Sequence, residues 1–446
     1  MADFIPGRLA AIALLTNVID GLYGLTGRVE DAIVGGSVSG MKPSVAALFL
    51  LCLGTTSCGG EEFSAQGSGG STASGGSAGG GGAAGAGGGA GGSGGSTAGG
   101  GTSGGGSGGA ATCPGTATGC VIDWAGQFGQ PGNANGVGKQ ARFTSLGAIT
   151  GDGNYVYVGS SDAIQRIEIS SATVSTLAGQ PGQPGYVNAV GTAARFSGIG
   201  GLATDGKTLW VAESMNQTLR AVDLASGTVK TLAGTQGVAG VADGVGAAAQ
   251  FNAPRGLELV GGRLVLVEAG NHAVRGIDPK TGAVVTLAGK NGAGSTDGPG
   301  NLAQFSSPRA LGAFNNEIWV GDTENHRLRK VIAGNSAAAS TVSSPVGSTQ
   351  GWADGVGTVA QLNRLRGVTS DGAELLVADS DNFVIRKVNP KSLNVSTIAG
   401  TAGNQNHAEG VGAAAAFNKP TDVHFDPGTG DLFITEADVV RRMYYK

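Results

Sequence analysis

The sequence lacks the features of several protein classes. It has 28 Lys and Arg against 32 Asp and Glu; three basic and six acidic residues precede residue 113, which leaves 25 basic and 26 acidic side chains after it. A nucleic-acid-binding protein normally carries a basic excess or stripe, so we expect no nucleic-acid partner. No Gly-x-Ser-x-Gly element, Ser/His/Asp set or phosphate-binding loop is recognisable. With only four histidines, the chain also offers little material for a catalytic metal centre.

Apolar side chains other than alanine are almost absent from residues 59–112, where Gly, Ser, Ala and Thr dominate. Such a segment buries too little apolar surface to offset the entropy lost on ordering. It is therefore predicted to be a disordered, flexible linker. Residues 113–446 are then the folded part, which is long enough to form one large core.

Residues 41–58, MKPSVAALFLLCLGTTSC, have an apolar run of signal-peptide length after Lys42 and small residues before Cys58. They resemble a bacterial lipoprotein signal, in which the cysteine is lipidated and becomes the mature N-terminus, although Thr55 stands where leucine is usual. We therefore expect export and a lipid anchor at Cys58, in the outer membrane or at the periplasmic or cell surface. Simple secretion is the alternative. Residues 1–40 are interpreted as a start codon assigned upstream of Met41, or as disordered.

The chain has only four cysteines, and Cys52 and Cys58 both fall in the signal segment. Cys113 and Cys120 remain, in CPGTATGC. In an exported protein such a pair predicts a structural disulfide that closes a small loop. A redox or zinc site would need tighter spacing and further ligands.

What the chain does have is a repeat of 54–57 residues, seen in five columns of recurring residues. One column consists of arginines: Arg166, Arg220, Arg275, Arg329, Arg386 and Arg441. A second closes each Gly/Ala-rich stretch: Phe143, Phe196, Phe251, Phe305, Leu362 and Phe417. Two residues before each of these lies an alanine, five before lies a glycine, and eight before lies a polar residue: Asn135, Asn188, Asp243, Asp297, Asp354 and Glu409.

Each repeat contains four short apolar runs, which we predict to be alternating, half-buried strands. In one copy they are RGLELV, RLVLVEA, AVRGID and AVVTLAG. Gly261-Gly262 separates the first two runs and is typical of a hairpin, as are Asp205-Gly206 and Asp371-Gly372. Four antiparallel strands at this period predict a propeller blade.

These repeats resemble NHL repeats over the whole folded region. The Asn-His pair that gives the family its name occurs in EAGNHAVR and DTENHRLR, and VADSDNFVIRKV is also similar to the family pattern. The resemblance implies an all-β, six-bladed propeller. The last repeat stops after its third strand, at RRMYYK, while VIDWAG at residues 121–126 resembles a fourth strand. We therefore expect the N-terminal strand to complete the last blade and close the ring.

Strand direction places the long Gly/Ala-rich loops and the turns after the second strands on one face of the propeller, the long-loop face. The repetition of these loops favours a structural role: the Asp or Asn caps a one-turn helix and the Phe lies between blades. In the turns, Glu213, Glu268, Asp322 and Asp379 each precede an Asn by three residues and the column arginine by seven. The favoured interpretation is pairing of these acids with the arginines; the alternative is a carboxylate ring that binds Ca²⁺.

Some propellers that the NHL family resembles are lyases that bind zinc through a histidine cluster. The alternative for this chain is therefore a zinc site formed by histidines among His272, His326, His407 and His424. We expect solvated turn histidines and no cofactor, because equivalent positions on neighbouring blades lie too far apart to share a zinc ion. Trp352 stands on the long-loop face where an exposed aromatic is a plausible binding anchor. The candidate binding face comprises Asp322, Asn325, His326, Asp379, Asn382, Trp352 and His272.

Two functions follow as hypotheses. The first is a monomeric, envelope-anchored binding module that takes a protein, peptide or glycan ligand on the long-loop face, with a membrane contact only through the lipid. The second is a metal-dependent lyase or hydrolase in the propeller pore, for which a convergent metal or acid/base set is required.

Overall fold

A computed structural model describes residues 117–289 and 292–446. The predicted segments 1–40, 41–58 and 59–112 lie outside these residues, as do Cys58 and Cys113. Cys120 is disulfide-bonded. None of the helices within the described residues is long and apolar enough to cross a membrane.

The described chain is built from short strands. In chain order they are β1 (Cys120–Gly126), β2 (Gly136–Val137), β3 (Ala148–Gly151), β4 (Tyr155–Gly159), β5 (Ala163–Glu168), β6 (Thr173–Gly179), β7 (Ile199–Thr204), β8 (Thr208–Glu213), β9 (Thr218–Asp223), β10 (Val229–Ala233), β11 (Gly244–Val245), β12 (Pro254–Val260), β13 (Arg263–Glu268), β14 (Ala273–Ile277), β15 (Ala283–Gly289), β16 (Gly298–Pro299), β17 (Ala310–Phe314), β18 (Glu317–Asp322), β19 (Arg327–Ile332), β20 (Thr341–Val346), β21 (Gly355–Val356), β22 (Leu365–Ser370), β23 (Leu375–Asp379), β24 (Val384–Val388), β25 (Asn394–Ala399), β26 (Gly410–Val411), β27 (Asp422–Asp426), β28 (Asp431–Thr435) and β29 (Val439–Tyr444).

Helical structure in the described ranges is limited to single turns of 3₁₀ helix. These are Gly138–Gln140, Gly191–Ala193, Gly246–Ala248, Thr323–Asn325, Ala337–Ala339, Gly357–Val359, Ser380–Asn382 and Gly412–Ala414.

The strands form six antiparallel sheets, which confirms the six-bladed, all-β propeller. From the centre outwards, blade 1 is β3-β4-β5-β6-β2, blade 2 is β7-β8-β9-β10, blade 3 is β12-β13-β14-β15-β11, blade 4 is β17-β18-β19-β20-β16, blade 5 is β22-β23-β24-β25-β21 and blade 6 is β27-β28-β29-β1-β26. The six inner strands contact one another in a closed circle, since β27 of blade 6 contacts β3 of blade 1.

The second strand of each blade differs from the predicted alternation. In β18 and β23 every residue except Glu317 is buried, on both faces of the sheet. The reason is that each blade packs between two neighbours, so neither face meets water and a continuous apolar run replaces an alternating one. Phe251 shows the packing: it is fully buried in a cluster that joins Trp210 and Leu219 of blade 2 to Leu264 of blade 3.

Blade 6 takes its fourth strand from the start of the folded region. β1 runs antiparallel to β29, with Val121 opposite Met443 and Asp123 opposite Arg441. The register shifts between Asp123 and Ala125, and β15 of blade 3 shows the corresponding shift against β14. β1 therefore has the geometry of an ordinary fourth strand. This is the position that the truncated last repeat predicts for it.

Candidate functional site

The acids of the turns after the second strands are buried and paired with the column arginines. The nitrogen–oxygen distances are 2.7–3.0 Å in Glu213–Arg220, Glu268–Arg275, Asp322–Arg329, Asp379–Arg386 and Glu436–Arg441. All ten side chains are completely buried. Burial raises the pKa of Asp379 to about 6, although the charge of Arg386 opposes this effect. The predicted internal pairing is found for Glu213, Glu268, Asp322 and Asp379, and Glu436 of blade 6 pairs in the same way.

The polar residue of the long loop has a different role from the one we predicted. Asp243 accepts hydrogen bonds from Arg275 Nη2 (2.8 Å) and from Thr286 of the fourth strand (2.8 Å). The 3₁₀ helix at Gly246–Ala248 begins after Val245 and has no side-chain cap. The helix-cap prediction is therefore wrong, because the buried arginine has more donors than the turn acid can satisfy and takes the loop carboxylate as well.

The side chains of four predicted binding residues are used in contacts within their own blades. Asp322 and Asp379 belong to the buried ion pairs described above. Asn325 Nδ2 donates to Asp322 (2.8 Å) and to the Gly294 carbonyl (2.7 Å), and Asn382 makes the equivalent bonds to Asp379 and to Gly351. These four residues therefore do not form an open binding surface. Their side chains hold each long loop to its blade.

The other three predicted binding residues lie in different environments. His272 Nδ1 accepts a hydrogen bond from the Ser307 amide (3.0 Å), which links blade 3 to blade 4. His326 is half-buried, and burial lowers its pKa. Trp352 is 64% exposed and is thus the open member of the set.

The remaining histidines are also separated. His407 stacks on Phe128 and contacts Asp123 and Glu436, whereas His424 lies on the inner strand β27. No group of three His, Cys, Asp or Glu side chains within residues 117–289 and 292–446 is arranged to hold a metal ion.

The central channel contains a cavity of about 240 Å³. The six inner strands line it, and their channel-facing residues differ from blade to blade. At the fourth position after the Phe/Leu column, blades 3, 4 and 5 carry Arg255, Arg309 and Arg366, which we call the arginine triad. Arg309 and Arg366 line the cavity, and Arg255 is near enough for its charge to be repelled by both. At the same position blades 1, 2 and 6 carry Gly147, Gly200 and Thr421.

The arginine triad lies at the start of the inner strands, which is the end of the channel on the long-loop face. The Nε atom of each triad arginine is buried and has no hydrogen-bond partner. Burial lowers the pKa values of Arg255 and Arg309, and charge repulsion within the triad lowers them further. The triad is thus a concentration of positive charge at the long-loop end of the channel.

Two acidic residues also line the cavity: Glu258 lies three residues beyond Arg255 on β12, and Asp422 directly follows Thr421 on β27. Burial raises the pKa of Glu258 to about 7 and that of Asp422 to about 8, and the charge of Glu258 adds to the shift of Asp422. Burial also lowers the pKa of His424 to about 4, so this histidine is neutral near pH 7. The channel therefore has a basic side, formed by the triad of blades 3, 4 and 5, and neutral or weakly acidic hydrogen-bonding groups at Glu258, Asp422 and His424.

No protein-family model matches the chain. It is 28% identical over 270 residues to NHL repeat-containing protein 2 from Homo sapiens, covering 53% of this chain and 37% of that protein. The protein of the same name from Gallus gallus is 28% identical over 262 residues, covering 51% and 36%. Together with the six blades, these similarities support an NHL-repeat β-propeller.

Further similarities cover less of the relative or concern the fold alone. Protein SUPPRESSOR OF QUENCHING 1, chloroplastic, from Arabidopsis thaliana is 36% identical over 147 residues, which are 31% of this chain and 14% of that protein. This NHL-repeat chain thus spans well under half the length of these curated relatives. Among solved structures, an auxiliary nutrient binding protein from Bacteroides thetaiotaomicron has a TM-score of 0.55 at 15% identity, with 72% and 76% of the two chains covered.

The Asn-His pair of the NHL repeat has a structural explanation in this chain. Asn271 and Asn325 join a turn acid to a loop carbonyl, and the following His272 and His326 have the left-handed backbone with φ of 54°. Gln217 and Phe383 take the same conformation in other blades, with φ of 60° and 61°. The conformation of this turn therefore depends on the Asn side chain and on the left-handed backbone of the residue that follows it. It does not depend on the histidine ring.

Sequence reasoning missed the arginine triad, Glu258 and Asp422. A signal for the triad was present, since the fourth residue after each Phe or Leu reads Gly, Gly, Arg, Arg, Arg, Thr along the chain. Aligning the repeats identifies the positions at which the same kind of residue recurs, and the triad position is not one of them. In this propeller the invariant columns hold the blades together, and the channel is lined by variable positions.

Proposed function

We propose that this NHL-repeat propeller is a binding module that takes its ligand at the channel mouth on the long-loop face. The observation that carries the proposal is the break in the repeat: the inner-strand residues that line an enclosed cavity differ among blades, whereas the structural columns recur. Binding sites are typically concave and contain a few convergent polar groups. Two proteins that share the fold, from Bacteroides thetaiotaomicron and Bacteroides ovatus, are described as auxiliary nutrient binding proteins, although a shared fold does not fix function.

The proposed ligand is a protein, peptide or glycan that contacts the long loops and inserts a group into the channel. Trp352 supports this choice, because a large exposed aromatic on the same face provides apolar contact area at low entropic cost. The shape of the channel supports insertion of one end of a ligand, since 240 Å³ is too small for a whole protein or glycan.

We further propose that the protein is exported and attached to a membrane by a lipid on Cys58. The support is the signal-like segment 41–58 and the Gly/Ser/Ala-rich segment that follows. As a flexible coil, a linker of this length would give the propeller a root-mean-square reach of roughly 40 Å. Incorporation of an alkyne-labelled fatty acid by the wild type but not by Cys58→Ala would support the anchor; equal labelling would refute it.

The binding proposal is tested by screening the full chain against peptide and glycan libraries. Gly147→Phe is the channel-blocking variant: Gly147 lines the cavity, and a Cβ there lies 3.6 Å from its nearest neighbour. Trp352→Ala tests the outer contact, and Lys207→Ala, on an exposed hairpin of the opposite face, is the control. We expect Gly147→Phe and Trp352→Ala to weaken binding by about tenfold or more and Lys207→Ala to have no effect.

Two results would contradict the proposal. One is a ligand whose affinity depends on Lys207 and not on the long-loop face. The other is stoichiometric zinc or calcium in the purified chain together with loss of activity toward a substrate on chelation, which would favour the metal-dependent lyase or hydrolase.

A further inference from the structure

We infer that the arginine triad binds an oxyanionic group, a carboxylate or phosphate, at the channel mouth. This inference rests on the proposed function and names the chemistry of the group that enters the channel. Arg255, Arg309 and Arg366 occupy the same position on three consecutive inner strands, so their side chains start at the same depth in the channel.

The opposite side of the channel mouth leaves room for a ligand. Blades 1 and 2 have Gly147 and Gly200 at the triad position, and blade 6 has the small Thr421. The side chain of Arg255 passes close to Gly200, where an added Cβ would lie 3.1 Å from Arg255 Cδ. The triad position thus carries long cationic side chains on three consecutive blades and small residues on the other three, which makes the site one-sided.

The triad differs from the column arginines in its lack of acidic partners. Arg220, Arg275, Arg329, Arg386 and Arg441 each have a carboxylate within 3.0 Å. None of the three triad arginines has a carboxylate within 4 Å among the described residues. Glu324 acts on Arg309 at longer range but is itself paired with Arg364.

Unpaired, partly buried guanidinium groups that repel one another destabilise the free protein. Such a cluster is expected where a ligand supplies the missing negative charge, and guanidinium matches carboxylate and phosphate in bidentate geometry. The site thus has both the charge and the hydrogen-bond donors that an oxyanion requires.

The dimensions and surroundings favour a small oxyanion or the end group of a larger ligand over a polyanion. The cavity holds about 240 Å³, and the cations at its outer rim are already paired: Arg364 contacts Glu324, and Lys419 contacts Asp381 at 3.5 Å. A nucleic acid would need further free cations beyond the channel. Glu258, three residues beyond Arg255, limits how deep a negative group can enter because it lies roughly 10 Å farther along the strand.

The test is isothermal titration calorimetry of the full chain with citrate and with inorganic phosphate, at low and at moderate salt. We expect binding by the wild type that weakens with salt, and an affinity loss of about tenfold or more in Arg309→Gln and Arg366→Gln. The matched control is Arg263→Gln, an arginine at the opposite end of blade 3 whose Nη1 donates to the Gly334 carbonyl. It should bind as the wild type does.

Thermal unfolding without ligand provides a second readout. Removing one charge from a mutually repelling triad should leave the Tm unchanged or raise it, and addition of citrate should raise the Tm of the wild type only. A fall in the Tm of both triad variants without ligand would assign these arginines to the structure and overturn the inference.

The outcomes separate this inference from the binding proposal. If neither citrate nor phosphate binds, or if both bind equally to the triad variants, the oxyanion assignment is wrong. If a peptide or glycan still binds and is blocked by Gly147→Phe but not by Arg366→Gln, the binding module stands without an oxyanion site. Failure of every ligand class would reject both.

Discussion

At the scale of single residues, the column arginines of blades 2 to 6 connect the elements of their blades. Arg329 illustrates this: Nη1 donates to Asp322 of the turn and to the Gln304 carbonyl, while Nη2 donates to Asp297 and the Thr296 carbonyl of the long loop. Its guanidinium also lies 4.8 Å from the centre of the Phe305 ring. One side chain thereby connects the turn acid, the long loop and Phe305, which explains why the arginine, the loop acid and the Phe recur together.

The first prediction compares blade 2 with blade 4. Arg220 pairs with Glu213 and has the neutral Asn188 as its loop partner, whereas Arg329 has two carboxylates. Glu213→Gln should cost about 3–5 kcal/mol of unfolding free energy because it leaves a buried charge without compensation. Asp322→Asn should cost clearly less, since Asp297 remains.

Urea unfolding of the full chain measures both variants. Glu317→Gln is the control, because Glu317 and Lys330 form a partly exposed pair, and it should change the unfolding free energy by less than about 1 kcal/mol. Equal losses in Glu213→Gln and Asp322→Asn would show that the loop carboxylate does not stabilise the arginine.

At the scale of elements, the Gly/Ala-rich loop preceding each inner strand has a compact, specific conformation. Gly246 and its counterpart Gly412 have φ of 57° and 55°, a region that residues with a side chain rarely adopt. Ala249 is fully buried beside Phe251 in the interface between blades, which favours a small side chain there. A composition that suggests disorder is in this case required by close backbone packing.

The second prediction concerns contact between neighbouring inner strands. A Cβ added at Gly201 of blade 2 would overlap the Arg255 carbonyl of blade 3 and lie 2.9 Å from Leu257 N. Both are backbone atoms, which cannot move without shifting the strand. Gly201→Ala should therefore destabilise the protein by about 1–3 kcal/mol or more.

The control is Gly147→Ala, in the same channel, whose added Cβ would lie 3.6 Å from the Ile199 carbonyl in ordinary van der Waals contact. We expect a lower Tm for Gly201→Ala only. A Tm for Gly201→Ala equal to that of the wild type would mean that adjacent inner strands can separate without cost.

At the scale of the whole molecule, ring closure uses a polar cluster specific to blade 6. His407 contacts Asp123 of β1 (3.0 Å) and Glu436 (3.4 Å), and Arg441 Nε lies 2.8 Å from Asp123. The His407 ring also stacks on Phe128, with ring centres 4.0 Å apart. The shortened turn of this blade lacks the usual Asn, and the His407 ring contacts the turn acid instead.

The third prediction is that closure depends on pH. Burial alone would lower the pKa of His407, but hydrogen bonds with Asp123 and Glu436 outweigh it and raise the pKa above 6.5. Burial would raise the pKa of Asp123, but the hydrogen bond from His407 and the charge of Arg441 lower it below 3.8. The histidine contribution is therefore complete below pH 6.5 and is lost as pH rises through its folded pKa; the Asp123 contribution is lost only in acid.

Thermal unfolding of the wild type and of His407→Gln checks this expectation. The Tm difference should be largest near about pH 5.5 and should shrink toward about pH 9 as the wild-type histidine loses its proton. His272→Gln is the control, because this histidine lies away from the closure. A constant Tm difference across the range would show that His407 acts through packing on Phe128 alone.

The sequence by itself determined the number of blades, the pairing of turn acids with column arginines and the strand that completes blade 6. These features follow from local sequence patterns and from the spacing of the repeats, so they can be predicted without knowing which distant residues are in contact. The role of Asp243 was misread because the arginine it serves lies 32 residues away. Only the tertiary structure decided which residues meet at the channel: Arg255, Arg309 and Arg366 are far apart in the chain, and closing six blades around one axis brings them together.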